Sequence, residues 1–166
     1  MQTLEKEYLT CADTAKLVRK ALQSKFPGIK FSVRSKTYSG GASIDVSWDN
    51  GPRSEAVKKT IELYEGADFD GMTDLKSYKS SLLASPAGIR EVHFGADYVF
   101  TNRNVTDFER LALEAETMIN NRCIVKDGKF GNEWVQHLAT SMARDIDFSK
   151  GETLSHAYDR VVLRKS

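Results

Sequence analysis

The sequence predicts an α+β fold: a small antiparallel sheet with packed helices in the order α-β-β-α-β, followed by a mostly helical C-terminal third. Three observations carry this expectation. Between Lys30 and Trp48 apolar and polar residues alternate, with Phe31 and Val33 on one side of the first run and Ile44, Val46 and Trp48 on one side of the second. Apolar stripes of helical spacing precede and follow that pair. From Thr106 onward the period is helical. An α+β domain over residues 1–104 is therefore expected, with a helical extension over 105–166 packed on it.

Each element has its own grounds. Thr10-Cys11-Ala12-Asp13 caps a first helix, the threonine hydroxyl taking an orphan amide and Asp13 suiting the positive helix end. Ala15, Val18, Leu22 and Phe26 form the buried stripe, with Lys16, Arg19, Lys20 and Gln23 opposite, and Pro27-Gly28 ends the helix. Two strands follow, joined by the loop Thr37 to Gly41, whose paired glycines accept positive φ. A slip of one residue would turn one apolar set to the wrong side, so the register is restricted and Arg34 lies opposite or diagonal to Asp45 on the polar face.

Asp49-Asn50-Gly51-Pro52 turns the chain into a second helix with Ala56, Val57, Thr60, Ile61 and Tyr64, stopped near Gly66. Asp68 to Gly88 reads as an exposed loop, compatible with a short helix around Thr73 to Leu83. A third strand is expected where Val92, Phe94, Ala96, Tyr98 and Phe100 alternate with Glu91, His93, Gly95 and Asp97, with Gly95 bulging or bending it. Thr106 to Glu109 has the form of a capping box and opens a helix with Phe108, Leu111, Ala112, Ala115, Met118 and Ile119 on one face. After a connector at 124–130, Trp134, Val135, Leu138, Ala139, Met142 and Ile146 line another helix. Leu154, Ala157, Tyr158 and Val161 line a shorter last one.

The chain of 166 residues is 40% hydrophobic and 28% charged, ordinary for a globular protein with a real core. No run approaches the roughly 18 apolar residues of a membrane helix, and the N-terminus lacks the basic-then-apolar order of a signal peptide. Cys11 and Cys123 are isolated and are expected as free thiols in a reducing cytosol. A net charge of +1 excludes a polyanionic DNA mimic and a polycation alike. The average hides an imbalance. Thr14 through Ile44 contain no acid but carry Lys16, Arg19, Lys20, Lys25, Lys30, Arg34 and Lys36, whereas Glu62, Glu65, Asp68, Asp70 and Asp74 follow without a base between them. Such segments form either two solvated faces that attract each other or a basic surface for phosphate or an acidic partner.

Catalytic signatures are absent: no G-x-S-x-G, HExxH, Walker loop or GxGxxG occurs. Asp68-x-Asp70-Gly71-x-x-Asp74 has calcium-type oxygens but not EF-hand spacing, and serves turns and caps better. His93 and Asp97 share a strand face but stand about 13 Å apart unless Gly95 breaks the strand. His137 and His156 read as surface residues on helices. No cofactor, metal or catalytic residue is expected. The better candidate is the basic feature: Lys16, Arg19 and Lys20 on one helical face, Arg34 and Lys36 on the polar side of the first strand, and Tyr38 placed to stack on a base or enter a partner's pocket.

The run AKLVRKALQSKFPGIKFSVRSKTYSGGASIDVSWDNGP, with the later FDGMTDL and VHFGADYVFTNR, resembles one of the large polyvalent protein associated domains, over about Cys11 to Arg103. RSKTYSGGASIDVSW carries most of that resemblance. It implies a protein of phages or conjugative elements, without established catalytic residues to carry over. The expectation is a non-catalytic binding protein in the bacterial cytoplasm that counteracts host defence, of anti-CRISPR or antirestriction type. It would bind a host protein or nucleic acid through Lys16, Arg19, Lys20, Arg34, Lys36 and Tyr38. The alternative is a metal-dependent nucleic-acid hydrolase using Asp45, Asp70, His93 or Asp97.

Overall fold

A computed structural model describes residues 6–70, 75–85, 88–122 and 132–162. The fold is α+β, with small mixed and antiparallel sheets and five helices among the described residues. By internal packing the chain forms two units, one from the residues up to Trp48 together with Ser54–Asn102, the other from Asp49–Arg53 with Arg103 onward.

In the first unit, Thr10 caps α1 (Cys11–Lys25): its Oγ1 accepts from the Asp13 amide at 3.1 Å and donates to Asp13 Oδ2 at 2.7 Å. The strands β2 (Ser32–Tyr38) and β3 (Gly41–Asp49) pair antiparallel with Arg34 directly opposite Asp45. The pairing runs out to Tyr38↔Gly41, so only Ser39-Gly40 turns the chain, shorter than the five-residue loop expected, and Gly40 takes φ 90°. Val18 and Leu22 of α1 pack with Val33, Ile44, Val46 and Trp48 of the sheet and Val57 and Ile61 of α2 (Ser54–Ile61) in one buried core. One 3-10 turn, Glu62–Tyr64, follows α2.

The stretch expected as loop or helix is instead extended. β4 (Ala67–Asp70) pairs antiparallel with β5 (Leu75–Tyr78), and β6 (Ser81–Ser85) pairs antiparallel with β7 (Gly88–His93). A three-residue β1 (Lys6–Tyr8), which no alternation announces, pairs parallel with the other edge of β7, giving the order β1-β7-β6. Serine-rich strands with a wet face carry little apolar period, and backbone pairing holds them where pattern does not.

The single third strand also breaks in two, β7 and then β8 (Tyr98–Asn104), which completes the sheet β2-β3-β8. Close packing makes the corner. A Cβ on Gly95 would lie 2.3 Å from Leu9 O and 2.6 Å from Cys11 N, and one on Gly66 would lie 2.2 Å from Phe94 O. The Gly66 amide donates to Ala96 O at 2.8 Å and the Asp97 amide to Ala42 O at 2.8 Å, so Phe94–Asp97 is locked between neighbours rather than continuing the ladder. The corner shifts the alternation by one: Val99 turns inward and Phe100 outward.

The second unit contains α3 (Phe108–Arg122), α4 (Asn132–Asp145) and α5 (Leu154–Val161). Ala115, Ile119, Leu138, Met142, Ile146, Ala157 and Tyr158 form its core. Thr106 does not make the expected capping box; its hydroxyl accepts from Asn50 Nδ2 at 3.0 Å, and Asp107, at φ 55°, leads into α3. The capping box is at α5, where His156 Nδ1 accepts from the Thr153 amide at 3.2 Å. Asp74, Cys123 and the expected connector at 124–130 lie outside the described residues.

Candidate functional site

The sheet β2-β3-β8 has one face sealed by α1 and one open. Alternation sends Val33, Ile44, Val46, Trp48 and Val99 to the sealed side. Arg34, Asp45, Ser47, Phe100 and Asn102 are out of phase with them and surround a hollow of about 370 Å³, whose floor includes Val46 and Thr101. Phe100 is 55% exposed, a large ring left in solvent on a strand, and Tyr98 lies beside it with ring centroids 6.2 Å apart.

The polar groups here are not spent on the fold. Although opposite in register, Arg34 and Asp45 form no ion pair among the described residues. Nor do the side chains of Ser47 and Asn102 take a hydrogen-bond partner there. The hollow thus offers a guanidinium, a carboxylate, a hydroxyl, an amide and an aromatic face within one patch. That set can stack a planar ring and pair with its edge.

The six residues singled out from sequence divide. Arg34 and Lys36 share the strand face turned away from α1, and Tyr38 stands at the hairpin tip, half exposed. Lys16, Arg19 and Lys20 lie on the solvent side of α1. Lys16 pairs with Asp13 at 2.8 Å, holding the Asp13 carboxyl below the usual carboxylate range. Arg19 donates to Val33 O at 2.9 Å, closing one backbone group on the edge strand β2. Lys20 and Lys36 take no ion-pair partner among the described residues.

The acids and histidine weighed for catalysis belong to different elements. Asp45 lines the hollow, Asp97 is buried with Oδ2 accepting from the Ala42 amide at 2.9 Å, and His93 stacks on Tyr8 with centroids 4.6 Å apart. Asp70 belongs to β4. Among the described residues no three of His, Cys, Asp and Glu gather as metal ligands, and no helix is long and apolar enough to cross a membrane.

Sequence reading missed two features. One is Phe100, hidden by the phase shift that follows Ala96. The other is an arginine cluster in the second unit. Arg103 donates to four carbonyls, of Asn50, Gly51, Arg144 and Ile146, at 2.6–3.0 Å. Arg160 bonds both Asp145 and Glu152, and Arg53 reaches Asp145 at 3.2 Å. Internal partners take all of these groups but Arg53 Nε, which is buried without a hydrogen-bond partner, so the cluster chiefly holds the unit together.

No curated protein and no solved structure matches the chain. A family model does, over residues 9–106, well over half of the sequence: that of large polyvalent protein associated domain 29. Domains of this kind are associated with the polyvalent proteins of phages and mobile elements. The match takes in α1, the hairpin, the glycine-locked corner and the open sheet face, and the chain belongs to the large polyvalent protein associated domain 29 family.

Proposed function

We propose that this chain is a non-catalytic binding protein of a phage or mobile element that takes single-stranded nucleic acid on the open face of β2-β3-β8. The observation that carries this reading is Phe100, more than half exposed on a strand and bordered by Arg34 around the hollow. A sheet presenting aromatic rings between cations is the arrangement that stacks unpaired bases while basic side chains hold the backbone. Lys36 and Tyr38 extend the face along the hairpin. In such an element, occupying nucleic acid would counter host defence of the restriction or CRISPR type.

A host defence protein is the second reading, and a different surface favours it. On the sheet β1-β7-β6, Leu82 pairs with Glu91 and Tyr8 with His93, and Ile89 alternates onto the same side. These three are 65%, 72% and 59% exposed, an apolar patch of the kind proteins dock on.

The test is a titration of labelled single-stranded DNA and RNA at several salt concentrations. Reversing Arg34 and Lys36 to Glu should weaken binding and flatten the salt dependence by roughly one unit of slope per lost phosphate contact. Unchanged affinity and slope would move the ligand off this face.

A further inference from the structure

The polar groups around the hollow are not those of a plain phosphate cradle. Asp45 lines it from the middle strand β3, one strand in from Arg34, and a carboxylate there would repel a phosphate. It is also the one charged acceptor in the lining, and it forms no ion pair among the described residues. A group that accepts hydrogen bonds, beside a ring that stacks, suits a base presenting N–H groups on its edge.

Resting on the reading of this face as a nucleic-acid site, we propose that the hollow is a base subsite selective for guanine. Guanine has two adjacent donors, N1–H and the N2 amino group, which match the two oxygens of Asp45. On the same ring O6 and N7 accept, matching a guanidinium fork such as Arg34. Directly opposite residues on paired strands have side chains about 5 Å apart, the span over which one purine can meet both. Phe100 supplies the stacking face and Asn102 an amide able to meet the sugar or the base. The other bases fit less well. Uracil and thymine present a single ring donor. Adenine and cytosine present one amino group beside an acceptor nitrogen, which would face the second oxygen of Asp45.

The experiment uses labelled oligouridine 8-mers carrying one central G, A, C or inosine, titrated against the full chain and against Asp45→Asn and Phe100→Ala. Asp45 and Phe100 are exposed, and thermal melts check that both variants fold. The guanine oligomer should bind tightest, by roughly five- to hundredfold over plain oligouridine, the range for one bidentate base contact. Inosine, which lacks the N2 amino group, should lose part of that gain. Asp45→Asn should level the preference, and Phe100→Ala should weaken all the oligomers together. Equal affinity for every base, or a guanine preference that survives Asp45→Asn, would overturn guanine selection while leaving nucleic-acid binding in place. Absence of binding to every oligomer would overturn both.

Discussion

A methyl group has no room at Gly95, where backbone atoms of Leu9, Thr10 and Cys11 crowd the position a Cβ would take. Those neighbours are main chain, so none can swing aside. Gly95→Ala should therefore lower stability by about 1–3 kcal/mol or more, read as a fall in the denaturation midpoint; an unchanged midpoint would mean that the corner is loose. Cys11, at the start of α1, is buried, and burial pushes its thiol pKa up, so it stays protonated and unreactive. In a Cys123→Ser background, a thiol reagent should label Cys11 only as fast as the protein unfolds; prompt labelling of the native protein would contradict its burial. At this scale the sequence was legible where the chemistry is local, as at Thr10 capping α1. It was not legible at Phe100. The alternation from Val92 runs unbroken on paper, and only the tertiary corner through Ala96 and Asp97 reverses its sense.

Among the elements, the α1–hairpin unit sets the pattern for the first half of the chain. Trp48 is 3% exposed and packs against Phe31 with ring centroids 5.6 Å apart. Trp48→Ala should cost about 3–5 kcal/mol in a denaturant melt, the usual range for a buried aromatic, and a melt like that of the parent would place the ring in solvent. Arg19 now belongs to the fold as much as to the surface, since its guanidinium holds Val33 O. Charge-reversal tests of binding are cleaner at Lys20, Arg34 and Lys36. The hairpin and the helices were readable because their periods are written in consecutive residues. β4, β5 and β6 were not, because Asp70-Gly71, Ser80, Ser81 and Pro86 look like loop residues and the strands draw their stability from pairing partners.

On the scale of the whole molecule, the described residues form two units, each with its own core. The second is held by its arginine cluster. Burial would raise the Glu152 carboxyl, but hydrogen bonds from Arg160 and the Asp147 amide, with the charges of Arg160 and Arg53, outweigh it and hold the pKa below the ordinary 4.5. A carboxylate depressed in the folded state stabilises fully above its unfolded value and loses that contribution as the pH falls through the folded one. The melting temperature should therefore drop below about pH 4.5, and more steeply for the parent than for Glu152→Gln. Equal slopes would mean that the cluster contributes nothing through this group. The first unit carries the open sheet face, and the most direct test of that face as a nucleic-acid site is photocrosslinking. Single-stranded oligonucleotides with a photoreactive base would be crosslinked to the full chain, digested with trypsin and mapped by mass spectrometry. Phe100 and Tyr98 fall in the tryptic peptide Glu91–Arg103, and Asp45 with Tyr38 in Thr37–Arg53. If the open face holds nucleic acid, crosslinks fall in these two peptides and are reduced in the first by Phe100→Ala. Crosslinks confined to the peptides of α1 or of the C-terminal helices, or none at all, would rule this face out as the site.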